Sequence, residues 1–470
     1  MIFSSLFFIF IFLPVTLVLY YLVPWRFKNF VLLVMSLIFY AWGEPLYIFL
    51  MMFSIIFNYF SALQMESYGR LRNRHFRKIC FIVTVAVNIA IISFFKYLGF
   101  FIGNLNAVFG AGMTIPKISL PIGISFYTFQ TLSYIIDVYW GNVKVQRNII
   151  DFGAYITMFP QLIAGPIVRY KDIAVQLRKR RLDLANIADG VSWFIRGLAK
   201  KVLLANNAGM LYDSVFAIAA SDRAGLTTFL GVIAYTFQIY FDFSGYSDMA
   251  IGLGKMLGFR FVKNFDYPYI STSASEFWRR WHISLGTWFR EYVYIPLGGN
   301  RCSPVKHIRN MLIVWLLTGL WHGASWAFVL WGVYWGILLI LEKYIYGRAL
   351  ERLPAFVGHI YTVIAFVFGW MIFTASSASD LGSNLASLFG GLGNGIADAT
   401  TGYFFTSYLL LLIICVVCST PVVWKYFRQM ARSVKLYARV LAVLSYAALF
   451  FMSVASLVNA SYNPFLYFRF

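Results

Sequence analysis

His322 stands inside a long apolar run, where an ionisable side chain is costly enough to be a functional candidate by default. The run reads Met311-Leu-Ile-Val-Trp-Leu-Leu-Thr-Gly-Leu-Trp321-His322-Gly323-Ala-Ser-Trp326 and stays apolar to Leu341, with Arg309 before it and Lys343 after it. At ~1.5 Å per helical residue, the imidazole is expected roughly 17 Å from Met311, near the midplane of a hydrocarbon core ~30 Å thick. A buried ring is expected to be neutral, and a neutral imidazole can take a proton, as a general base or a proton relay must. The plainer alternative is a histidine hydrogen-bonded between helices, holding bundle faces together.

Two further clusters carry chemistry-bearing side chains. The first is Glu276-Phe-Trp278-Arg279-Arg280-Trp281-His282, followed by Trp288 and Arg290. An interfacial helix explains the tryptophans and arginines well and His282 poorly. Arg279 and Arg280 also suit phosphate groups. The second is Tyr240-Phe-Asp242-Phe-Ser-Gly245-Tyr246-Ser-Asp248. Carboxylates six residues apart on a helix face different sides, so they do not form an acid/base dyad. Pairing with arginines from the stretch 259–309 is the simple expectation. Cys415 and Cys418 form a CxxC inside an apolar run with no second pair nearby. They read as small buried side chains, and neither a metal site nor a disulfide framework is expected.

The elements that position these residues are membrane spans. The 470 residues are 60% hydrophobic and 12% charged, and a soluble chain that apolar would aggregate. The net charge of +21 lies in short clusters between apolar segments, as the positive-inside rule expects, which argues against nucleic-acid binding. Residues 1–25 carry no charge and read as a retained first span. Further spans are expected near 29–41, 46–64, 79–95, 118–140, 226–254, 356–375, 403–424 and 440–459. A Gly-rich outer loop follows the span 79–95. The segment 150–168 holds Pro160, Gly165 and Pro166 between basic flanks, so a re-entrant loop fits it better than a crossing. The stretch 187–221 is not placed by hydropathy. The apolar run from 311 to 342 is too long for one span and is expected to break near Gly323. The fold is therefore all-α and polytopic, with ten to twelve transmembrane or re-entrant helices in one domain, 1–470. Lysine and arginine placement puts Arg70–Lys78, Arg178–Arg181 and Lys425–Arg439 inside, and the loop 380–401 outside.

Taken in order, four motifs resemble the membrane-bound O-acyltransferases, in particular the bacterial alginate and polysaccharide O-acetyltransferase branch. They are Asp242-Phe-Ser-Gly-Tyr-Ser-Asp248, Phe277-Trp-Arg-Arg-Trp-His282-Ile-Ser-Leu, Tyr294-Ile-Pro-Leu-Gly-Gly-Asn300-Arg301 and Trp321-His322-Gly-Ala-Ser-Trp326. The tail Asn463-Pro-Phe-Leu-Tyr-Phe-Arg-Phe470 is similar to that branch as well. The resemblance implies a helical bundle around a central tunnel, with His322 as the active-site base. It matches His282 to a second polar position nearer the cytoplasm. It also implies transfer of an acyl group from a cytoplasmic thioester to an acceptor outside, often completed by an extracytoplasmic partner with a hydrolase-like Ser-His-Asp site.

The resulting expectation is a multi-pass O-acetyltransferase of the inner or plasma membrane, surrounded by membrane lipids, serving an exported or cell-wall polysaccharide of alginate, cellulose or peptidoglycan type. Acetyl-coenzyme A is the expected donor, with no tightly bound cofactor. His322 and His282 are the expected catalytic residues. Trp278, Arg280, Trp281, Asp242, Tyr246 and Trp321 are expected at the substrate, and basic loops such as Arg178–Arg181 would receive the donor's anionic head. The rival readings are D-alanyl transfer onto teichoic acid and a non-enzymatic transporter in which His322 relays protons.

Overall fold

The computed structural model describes the whole chain except residues 394, 460–462, 464, 465 and 467–470. Most of the tail motif therefore lies outside the described residues, Asn463 and Leu466 excepted. Among the described residues the protein is helical throughout, without a strand. It forms two compact units interleaved in sequence, one of 1–194 with 249–262 and one of 195–248 with 263–470.

Seven helices are long and apolar enough to cross a bilayer: Ile48–Arg70, Arg74–Phe109, Gly225–Met256, Trp326–Arg352, Ala355–Thr374, Ala399–Cys418 and Leu436–Asn459. Several bury little of themselves. In Arg74–Phe109 and Leu436–Asn459 only 17% of the most apolar window is buried, and Phe94, Phe101, Val443 and Phe451 stand exposed. Such a surface is stable against lipid, and helices suit it because they satisfy their own backbone. This is an all-helical, polytopic membrane protein.

In the first unit, the helix from Arg74 continues to Phe109, past the expected end near 95. Gly99 and Gly103 did not stop it, because each faces only the side chain of Ile115 and neither needs a special backbone angle. The helix ends at Gly110, whose φ of 60° is left-handed. The segment 150–168 is broken as expected, into Ile149–Thr157 and Phe159–Leu162 followed by extended backbone. Residues 152–168 are all buried. The interruption is satisfied locally: the Tyr155 hydroxyl donates to Val168 O at 3.1 Å, and Gln161 Nε2 donates to Tyr155 O at 2.6 Å.

The stretch 187–221, whose residues to Phe194 fall in the first unit and the rest in the second, is helical apart from a short link after Phe216. Leu184–Ala199 passes through a π-helical turn at Lys200–Ala205 into Asn206–Phe216. A Cβ on Gly245 would stand 2.7 Å from Gly197 O, so the helix Gly225–Met256 crosses here backbone to backbone. The run 311–342 breaks as expected, into Pro304–His322 and Trp326–Leu341. The first helix starts seven residues earlier than hydropathy suggests, because Pro304 suits the first helical turn despite the polar residues after it.

Candidate active site

Pro304–His322 and Trp326–Leu341 form an antiparallel hairpin. A Cβ on Gly319 would meet Phe328 O at 2.3 Å, and one on Gly332 would meet Trp315 O at 2.4 Å. The two glycines let the helices touch at the backbone. His322 is the last residue of the first arm, so it sits at the hairpin's apex rather than in mid-helix, where a continuous span would have put it. Gly323 turns the chain in extended conformation, and Ser325 caps the second arm by accepting the Phe328 N–H. Around His322 the rings of Trp331, Trp321 and Phe373 stand edge-on, with centroids 5.0, 5.1 and 5.3 Å away. All four rings are buried.

His282 lies between the short helices Ala274–Arg280 and Ile283–Phe289, with φ 45°, a strained left-handed conformation for a residue with a Cβ. Asn264 holds it there. Asn264 Oδ1 accepts from the Ser284 N–H at 3.1 Å and from the Ser284 hydroxyl at 2.9 Å, and it stands 3.2 Å from His282 Nδ1. An oxygen that already accepts can only accept again, so Nδ1 carries the proton and donates. Nε2 is left as a lone pair, buried and without a hydrogen-bond partner among the described residues. Burial holds this ring's pKa well below the ordinary imidazole value, so it is neutral. The rings of Phe243 and Trp321 flank it at 4.7 and 5.8 Å. Trp321 thus touches both histidines.

Asp242 supplies the buried charge. Its Oδ1 pairs with Lys201 Nζ at 2.7 Å, and its Oδ2 accepts the Leu466 N–H at 2.9 Å. Asp248 pairs separately with Arg196 and Lys200, at 2.9 and 2.8 Å. The partners come from the helix around the π turn and not from the stretch 259–309, which was the expectation. The extra residue of a π turn lets adjacent lysines serve carboxylates on different faces. One cavity collects His322, Asp242, Phe243, Trp281, Trp331, Trp370, Phe373 and Leu466. It holds about 10 Å³, roughly one water molecule.

Of the residues named from sequence, His322, Asp242 and Trp281 line this cavity, and His282 and Trp321 stack beside it. Tyr246 is buried without lining it. Trp278 packs on Trp315, Trp331 and Trp335. Arg280 is committed to Glu276 at 2.8 Å and to Asp266 O at 3.0 Å, which braces the loop carrying His282. In the other unit, Arg180 is buried and donates to the Tyr20 hydroxyl at 2.7 Å and to Leu257 O, so it is not a loose phosphate-binding cation. Sequence reading missed Asn264, Lys201, Trp331, Trp370 and Phe373. It also missed Glu342, whose carboxylate accepts the N–H groups of Ala274 and Ser275 at 2.7 and 2.9 Å and so ties the His282 segment to the hairpin. Only Lys201 left a signal, a charge within an apolar run.

The sequence signature of the membrane-bound O-acyltransferase family matches residues 142–381. The chain belongs to that family. It is 43% identical over 396 residues to a probable alginate O-acetylase of Azotobacter vinelandii, covering 83% of this chain and 78% of that one. It is 34% identical over 434 residues to a peptidoglycan O-acetyltransferase of Helicobacter pylori, covering 84% and 81%. A teichoic acid D-alanyltransferase of Streptococcus thermophilus is more distant, 31% identical over 47% of this chain and 56% of its own. Membership makes the protein an acyltransferase, which decides against the transporter reading.

Proposed function

We propose that this acyltransferase moves acetyl from cytoplasmic acetyl-coenzyme A across the cell membrane, for O-acetylation of an exported or cell-wall polysaccharide. The relatives named for alginate and peptidoglycan acetylation support the acetyl group and the polysaccharide class. The more distant D-alanyltransferase is the weaker guide. The observation that carries the mechanism is a buried histidine, His322, at the apex of a hairpin in a cavity with room for about one water.

In this mechanism His322 takes the proton of an acceptor hydroxyl as its oxygen attacks the thioester carbonyl. The C–S bond breaks, the new ester C–O bond remains, and the imidazolium returns its proton to the leaving thiolate. Excluding water matters, because water is itself a hydroxyl acceptor and would hydrolyse the thioester. His282, with Nδ1–H held by Asn264, has only a lone pair to offer through Nε2. It would accept an amide N–H of the donor's pantetheine arm, not polarise the carbonyl. Trp281 and Trp321 would pack along that arm. Asp242, already paired with Lys201, would hold the cavity wall and its field. An extracytoplasmic partner with a Ser-His-Asp site would complete transfer to the polymer. That partner rests on the family resemblance.

The test is membranes from cells that make this protein, with and without the co-expressed extracytoplasmic partner, given radiolabelled acetyl-coenzyme A and an oligosaccharide acceptor, followed by free thiol and labelled product. Acceptor-dependent release of both is expected. Label transferred only from a D-alanyl-loaded carrier protein would replace this reading with the D-alanyl one.

A further inference from the structure

In the first unit, a groove of about 680 Å³ opens where the helices Ile48–Arg70 and Arg74–Phe109 meet the loop after Trp140. Arg70, Arg77, Lys144, Arg147 and Arg178 line it, against the single carboxylate of Glu66. That leaves a surplus of four positive charges. Glu66 is already taken by Arg70 at 2.6 Å and Arg147 at 3.1 Å. Arg77 donates to Tyr139 O at 2.7 Å and stacks on the Tyr139 ring. The side chains of Lys144 and Arg178 have no hydrogen-bond or ion-pair partner among the described residues. The floor is apolar, with Met65, Val138, Val143 and Val145.

Uncompensated cations around an apolar floor select a ligand that combines a phosphate with a greasy or planar part. The groove also lies at the ends of two candidate spans, where basic side chains meet anionic headgroups in membrane proteins generally. We propose that it binds a phosphate ester, with Lys144 and Arg178 as the principal contacts and Arg147 and Arg70 as the rim. An anionic phospholipid headgroup and the nucleotide phosphates of a coenzyme A donor share this chemistry. The site stands on binding alone and does not depend on acetyl transfer.

The experiment uses the full chain in neutral detergent, titrated with short-chain phosphatidylglycerol, with phosphatidylcholine as control, and separately with coenzyme A. Affinity and thermal midpoint are read for wild type, for Lys144→Gln with Arg178→Gln, and for the conservative Lys144→Arg with Arg178→Lys. The glutamine pair is expected to weaken binding of one probe roughly tenfold or more, while the conservative pair keeps it. Raised salt should shrink the difference. Weakening for phosphatidylglycerol alone identifies a lipid site, and for coenzyme A alone a nucleotide site. Equal affinity of wild type and the glutamine pair for both probes overturns the proposal. Should that pair not fold, Arg147→Gln, at a side chain 64% exposed, carries the same expectation.

Discussion

The helix Pro304–His322 carries a histidine near each end, and the two ends are built on opposite plans. At the start, His307 is buried with both ring nitrogens engaged, Nε2 by the Tyr294 hydroxyl at 2.7 Å and Nδ1 by the Tyr344 hydroxyl at 2.6 Å. At the apex, His322 is enclosed by aromatic edges, and the neighbouring His282 keeps Nε2 without a partner. A saturated imidazole fastens structure, because every lone pair and proton is already spent on the fold. His282, with one ring nitrogen unmatched among the described residues, keeps that atom for a ligand. Burial alone therefore does not tell the anchoring His307 from His282. The surroundings of the ring nitrogens do.

The sharpest way to break the contrast is at the apex. His322→Ala should lower acyl transfer by ~100- to 10,000-fold while the protein stays folded. Transfer at the wild-type rate from the purified variant would remove His322 from the chemistry. Gly332→Val comes next. Its side chain must push into Trp315 O, 2.4 Å from the new Cβ, so the hairpin opens. A sharply lowered thermal midpoint and little active protein are expected, and an unchanged midpoint would contradict the close crossing.

Asn264→Ala should act more gently, through the tautomer of His282. Of the three contacts that Asn264 Oδ1 loses, the one to His282 is worth about 1 kcal/mol, so transfer per folded molecule should fall roughly five- to tenfold, while loss of the two Ser284 contacts lowers stability. The nitrogen chemical shifts of His282 should also change to those of a mixed tautomer, which a merely structural role of Asn264 would not produce. The smallest effect on chemistry belongs to His307→Phe. It should lower the thermal midpoint and leave transfer per folded molecule within about twofold, since the ring only joins Tyr294 to Tyr344. If His307→Phe proved as damaging to the chemistry as His322→Ala, the comparison itself would fail.

Much of the site was legible because membranes make charge conspicuous. His322, His282 and Asp242 stood out as ionisable groups in or beside apolar runs. The break at Gly323 followed from span length, and the interruption of the helix within 150–168 from its prolines. What could not be read were partners brought in from far along the chain. Trp331, Trp370 and Phe373 look like any other apolar residues of a span; the hairpin's reversal sets Trp331 beside His322, and the packing of the helix Ala355–Thr374 brings Trp370 and Phe373. Asn264 lies in an irregular stretch with no periodicity to place it. Lys201 was visible as an anomaly, but the π turn that aims it at Asp242 has no hydropathy signature. Arg280 and Arg180 show the opposite error: an arginine in a polar stretch suggests a phosphate, yet each is consumed by internal acceptors.

The closed cavity at His322 bears on the membrane as an electrical barrier. A passage that stood open through the bilayer would short-circuit the ion gradients on which the cell runs. Packing Trp281, Trp331, Trp370 and Phe373 around His322 until about one water fits leaves no wide aqueous passage at that point. An acetyl thioester is larger than that space, so transfer at His322, as proposed, requires the rings to part. The speed of that motion sets an upper limit on turnover, and its completeness decides whether ions leak while the acetyl group passes.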